Sequence, residues 1–62
     1  MYEVQYMDSV GCTFYQKYKT LGSVNTALKL NKKYKIICVI DYMNARIVYP
    51  DNLKELFSWK RL

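Results

Sequence analysis

Cys12 and Cys38 are the two thiols of a chain that has no histidine. Those facts narrow its chemistry at once. A nucleophilic thiol or hydroxyl is normally activated by an imidazole, and the sequence supplies none. Two cysteines set far apart, without a C-x-x-C spacing, cannot complete a four-ligand zinc site by themselves. Each lies among strand-type residues, so both are expected to be buried free thiols. A Cys12–Cys38 disulfide is the alternative, if their strands lie side by side. The carboxylates are Glu3, Asp8, Asp41, Asp51 and Glu55. Asp8 has a turn to explain it and Asp51 a helix cap. Glu3 belongs to the polar face of a strand. No two are spaced as an acid and a base. Asp41 stands apart, because it closes the apolar run Ile36-Ile37-Cys38-Val39-Ile40 at a strand end, where functional carboxylates are often found. Strand-end solvation, or a salt bridge to a nearby lysine, is the plainer account. Gly11 and Gly22 stand alone, so there is no glycine-rich phosphate loop. The expectation is a protein that is not an enzyme, with no catalytic residue, no cofactor and no metal.

The elements that carry these residues follow from periodicity. Tyr2, Val4 and Tyr6 alternate with Glu3, Gln5 and Met7, which is a half-buried strand. Asp8-Ser9-Val10-Gly11 is turn chemistry, and Cys12 to Lys19 reads as the second strand of a hairpin. Thr20 is a helix N-cap, followed by Leu21, Val24, Ala27 and Leu28 at helical spacing, with Asn31 as the stop. Tyr34 to Tyr42 is the strongest strand, apolar on both faces and therefore central. Met43-Asn44-Ala45 turns the chain into a short strand, Arg46 to Tyr49, which Pro50 ends. A last helix is expected from a cap at Asp51 or Asn52, with Leu53, Leu56 and Phe57 as its apolar stripe. The order ββαββα predicts one α+β domain over residues 1–62. It is a small antiparallel four-stranded sheet, ordered 2-1-3-4, with two helices on one face and a right-handed crossover. Ile36, Cys38, Ile40, Leu28, Leu56 and Phe57 are its expected core.

Sixty-two residues bury only ~60% of the surface that the unfolded chain exposes, so a surface patch is easier to build than an active-site cavity. Seven tyrosines exceed what so small a core needs, and some should face outward. The net charge is +5, with the densest basic stretch from Lys29 to Lys35. That balance favours an anionic partner, although lysine is also the ordinary solvated charge. The longest apolar run is far too short to cross a bilayer and no leader is expected, so a cytoplasmic protein with no membrane partner is anticipated.

With Val4, Tyr6, Phe14, Ile36, Cys38 and Ile40 turned toward the helices, the opposite sheet face would carry Glu3, Gln5, Met7, Tyr15, Lys17, Lys35, Ile37 and Val39. A mixed apolar, basic and tyrosine patch of that kind marks a contact surface. Tyr15, Ile37 and Val39 are its expected centre, with Lys17, Lys35 and Arg46 at the rim. Cover by the C-terminal helix, or a homodimer through the patch or an edge strand, are the competing fates of this face.

The hairpin, short helix and return strand from Tyr2 to Tyr42 resemble small bacteriophage accessory proteins of the host-takeover and counter-defence class. The abundance of Lys, Tyr, Ile and Asn adds to the resemblance. It is one of layout and carries no motif, so it assigns no residue a role. It implies a non-catalytic inhibitor or adaptor that blocks or redirects a larger host protein, in the host cytoplasm. The alternative is a small basic nucleic-acid-binding domain or transcription regulator. In that reading Tyr15 would stack bases, while Lys17, Lys19, Lys35 and Arg46 would neutralise phosphates.

Overall fold

The computed structural model describes residues 1–52. Their order is β1 (Tyr2–Met7), β2 (Thr13–Tyr18), α1 (Leu21–Leu30), β3 (Lys35–Asp41), β4 (Arg46–Val48) and a 3-10 turn, Pro50–Asn52. The strands form one sheet in the order β2-β1-β3-β4, antiparallel throughout. This is the strand order expected from the sequence, and the class is α+β. One helix is present among the described residues. The expected second helix, with Leu53, Leu56 and Phe57, lies outside them. No helix among the described residues is long and apolar enough to cross a membrane.

Side-chain hydrogen bonds fix the connections. Asp8 Oδ1 accepts from the amides of Val10 at 3.0 Å and Cys12 at 2.9 Å, which closes the β1–β2 turn. Gly11 sits in that turn at φ 90°, where a Cβ would be strained. The Thr20 hydroxyl caps α1 by accepting from the amide of Ser23 at 3.1 Å. At the other end the Asn31 amide donates to Ala27 O at 3.0 Å. The Asn31 side chain then clamps the next loop: Nδ2 donates to Tyr34 O at 2.8 Å, and Oδ1 accepts from the Tyr34 amide at 3.0 Å.

The core is small and rich in valine. Leu21 and Val24 of α1 rest on Val4 and Tyr6 of β1, Val39 of β3 and Val48 of β4. Tyr2, Tyr18, Leu28 and Ile36 pack around this cluster and stay partly accessible. Cys38 is buried as expected, whereas Leu28, Ile36 and Ile40 are only half-buried. Leu56 and Phe57 are outside the described residues.

The register of β3 corrects the expected faces. Gln5 pairs with Cys38, but the next residue of β1, Tyr6, pairs with Ile36. One step on β1 therefore matches two on β3, and Ile37 is the extra residue of a bulge. A shift of one residue exchanges the two faces of a strand. Beyond the bulge, Val39 turns into the core under α1, fully buried at 0% exposure. Cys38 and Ile40 turn to the opposite face, beside Gln5 and Glu3. Val39 therefore cannot be the centre of an exposed patch.

Both cysteines are free thiols. Cys12 is exposed, contrary to expectation, because it lies in the turn just before β2. β1 separates β2 from β3, so the two cysteines are not on neighbouring strands as a bridge would need.

Candidate interaction surface

The sheet face turned away from α1 is built around β1. Glu3, Gln5 and Met7 alternate outward there, between Tyr15 and Lys17 of β2 and Cys38 and Ile40 of β3. Ile47 of β4 adjoins as the cross-strand partner of Ile40.

A hydrogen-bonded polar cluster occupies the middle of this face. Gln5 Nε2 donates to Glu3 Oε2 at 2.8 Å, and the Tyr42 hydroxyl donates to Glu3 Oε1 at 2.9 Å. The Cys38 thiol donates to Gln5 Oε1 at 3.6 Å. Lys17 stands across the strand from Glu3. Glu3 is a carboxylate only 6% exposed, yet both of its oxygens are satisfied. The bond from Gln5 is the main reason its carboxyl is held below the usual range. The Tyr42 bond and the Lys17 charge act in the same direction, against the opposing effect of burial. Burial first, and then the Glu3 charge, push the Cys38 thiol up. Its bond to Glu3, together with burial and that same charge, raises the Tyr42 phenol. The cluster therefore holds an anionic carboxylate beside a protonated thiol and a neutral phenol. This is an arrangement of fixed donors and acceptors, not an activated nucleophile.

Large side chains stay accessible around the cluster. Tyr15 is 59% exposed, Tyr42 49% and Ile47 53%. Lys17 and Lys35 are exposed, and Ile37 is half-buried at the bulge. Of the six residues expected to form the patch, Tyr15, Lys17 and Lys35 are accessible on this face. Ile37 occupies its irregular edge. Val39 belongs to the core. Arg46 alternates with Ile47 and pairs in register with Asp41, which puts it on the α1 side of the sheet. Tyr42 and Ile47 were missed by the sequence reading. Ile47 could have been found from the alternation of β4, but Tyr42 lies in a turn and is brought here by its bond to Glu3.

Asp41 has a structural duty. It is buried at the end of β3, and its Oδ2 accepts from Asn44 Nδ2 at 2.8 Å. Its Oδ1 accepts from the Asn44 amide at 3.4 Å, so the carboxylate shapes the β3–β4 turn. Among the described residues, no group of three or more acidic or cysteine side chains is placed to hold a metal ion.

A second surface lies on the α1 side of β2. Phe14 stacks on Tyr6 with ring centroids 5.2 Å apart, and Tyr34 meets Phe14 edge-on at 4.8 Å. The Tyr6 and Tyr18 hydroxyls lie 3.3 Å apart. Burial, and then that bond, raise the Tyr6 phenol far above its ordinary value. Lys33 Nζ stands 5.8 Å from the centre of the Tyr34 ring.

Comparison with family models, with curated proteins and with solved structures gives no match for this chain. The functional reading therefore rests on the two surfaces themselves.

Proposed function

We propose that this chain is a non-catalytic interaction protein, an inhibitor or adaptor that binds a larger protein through the sheet face opposite α1. The observation that carries the reading is the accessible Tyr15, Tyr42 and Ile47 around the satisfied Glu3–Gln5–Cys38 cluster. Tyrosine supplies broad contact area with a polar tip and is favoured at interface centres, where lysine tends to be peripheral. A buried polar cluster whose bonds are already made adds register to such a contact without unpaired groups. The resemblance to phage accessory proteins points the same way, toward a larger host protein as partner and the host cytoplasm as the site of action.

The tagged protein, used as bait in lysate treated with nuclease, should retain one protein at constant stoichiometry. Tyr42→Ala and Ile47→Asp should lose it. Recovery of nucleic acid alone would overturn the reading.

The nucleic-acid alternative draws on the exposed Tyr15 with Lys17, Lys19 and Lys35, while Arg46 falls on the α1 side of the sheet. Against it, arginine is scarce and the glycine–aromatic signature of sheet-type RNA binders is missing from the sequence. Binding to mixed oligonucleotides that falls steeply with salt would favour that alternative.

A further inference from the structure

β2 is the terminal strand of the sheet and pairs only with β1 among the described residues. Five of its six residues are exposed, and Tyr18 is half-buried. It contains neither proline nor glycine. Its outward groups can be assigned from the turn. The Asp8 amide donates to Cys12 O at 2.9 Å, which makes Asp8 and Cys12 a hydrogen-bonded pair. Alternation then directs the amides and carbonyls of Phe14, Gln16 and Tyr18 to β1. Those of Thr13, Tyr15 and Lys17 point away from the sheet.

The side chains beside this edge leave room for a neighbour. A cleft of ≈ 350 Å³ lies between β2 and the C-terminal end of α1, lined among others by Phe14, Tyr18, Leu30, Lys32 and Lys33. Tyr18, Ala27 and Leu30 also line a wider, shallow groove along α1. Leu30 is 75% exposed there, an apolar side chain without cover. Among the described residues, no acidic side chain lines the cleft or the groove.

We infer that the outer edge of β2 is a docking strand for an extended acidic peptide segment of a partner protein. The inference rests on the reading of this chain as a protein binder and adds a contact on a different surface. Main-chain bonds to Thr13, Tyr15 and Lys17 would hold the segment as a fifth strand. Its apolar side chains on the α1 side would enter the cleft over Phe14 and Leu30. Its carboxylates, on the opposite face by alternation, would meet Lys17 and Lys19, while Lys32 and Lys33 at the cleft add a longer-range attraction. Charge selects this occupant over a second copy of the chain, since each copy carries a net charge of +5. Lysines along an edge repel a like-charged strand and admit an acidic one.

The probe is a capped octapeptide of alternating glutamate and valine, titrated into the 15N-labelled full chain while amide shifts are recorded. Shifts should concentrate at residues 13–19 and 27–34, and weaken with added salt. The matching lysine–valine peptide should leave those amides unmoved. Lys19→Glu with Lys32→Glu should weaken binding about tenfold, as two exposed attractions become repulsions. Thr13→Pro removes one outward N–H at the first residue of an edge strand, where proline is tolerated. It should weaken binding several-fold while the amide spectrum stays folded. Three results overturn the inference: no shifts at millimolar peptide, the same shifts produced only by an eight-nucleotide single strand, or concentration-dependent shifts of the chain alone. Failure here leaves the opposite sheet face intact as a binding surface, because Tyr42→Ala and Ile47→Asp report on that face separately.

Discussion

At the scale of single residues, side-chain hydrogen bonds and backbone conformation decide where the loops go, and two loop residues give direct tests. Ala45 occupies the left-handed region at φ 49° in the β3–β4 turn. A Cβ is disfavoured there by about 1–2 kcal/mol, and glycine is not. Ala45→Gly should therefore stabilise the fold by about 0.5–1 kcal/mol, after the greater unfolded-state entropy of glycine is set against the relief. A urea midpoint unchanged or lowered would show that the turn does not hold Ala45 as described. Asn31 makes two bonds to the Tyr34 backbone, each worth about 0.5–1.5 kcal/mol net. Asn31→Ala should cost about 1–3 kcal/mol and loosen the contact of Tyr34 with Phe14. The aromatic ring-current shifts of Phe14 would report the second effect independently of the first.

Among elements, the sheet was readable and its faces were not. The helix boundaries followed from Thr20 and Asn31, whose side chains act where the spacing of Leu21, Val24 and Leu28 places them. The strand order followed from the apolar character of Ile36 to Ile40, which excludes an edge. The bulge at Ile37 was not legible, because IICVI is apolar at every position and offers no alternation to fix register. That one residue moved Val39 into the core and brought Cys38 and Ile40 to the opposite face. It also broke the expected patch, leaving Tyr15, Lys17 and Lys35 in it without Val39 and Arg46. Two substitutions separate the assignments. Val39→Ala removes methyl groups from a fully enclosed site and should cost about 2 kcal/mol. Ile47→Ala on the accessible face should stay within about 0.5 kcal/mol of the parent. Equal melting of the two variants would mean that β3 lies in the other register.

At the scale of the molecule, one helix on a four-stranded sheet among the described residues leaves most of their rings at the margins of a valine core. Two of these margins titrate, and their signs are opposite. The Glu3 carboxyl is held low in the folded state, chiefly by Gln5 and also by Tyr42 and Lys17. Its contribution to stability is fully present above the unfolded carboxylate value of about 4.3, and is lost as pH falls through the lower folded value. The Tyr6 phenol is raised by burial and by its bond to Tyr18. Its contribution is fully present below the unfolded phenol value of about 10, and is lost as pH climbs from there toward the folded value. The Tyr42 phenol, raised by its bond to Glu3, acts with Tyr6 on the alkaline side. The Cys38 thiol, raised by burial and the Glu3 charge, adds to the alkaline side from its unfolded value of about 8.5. Stability should therefore be level between about pH 5 and 8 and decline on both sides. Urea midpoints measured from pH 3 to pH 11 on the parent, Glu3→Gln and Tyr6→Phe would resolve the two limbs. Glu3→Gln should flatten the acid limb and also soften the alkaline limb, because Tyr42 loses its main partner and both Tyr42 and Cys38 lose the Glu3 charge. Tyr6→Phe should make the alkaline limb shallower, with Tyr42 and Cys38 still contributing there, and leave the acid limb as it was. If Glu3→Gln declines in parallel with the parent below pH 5, Glu3 is not held by the Gln5 and Tyr42 bonds. The polar centre assigned to the open sheet face would then be wrong.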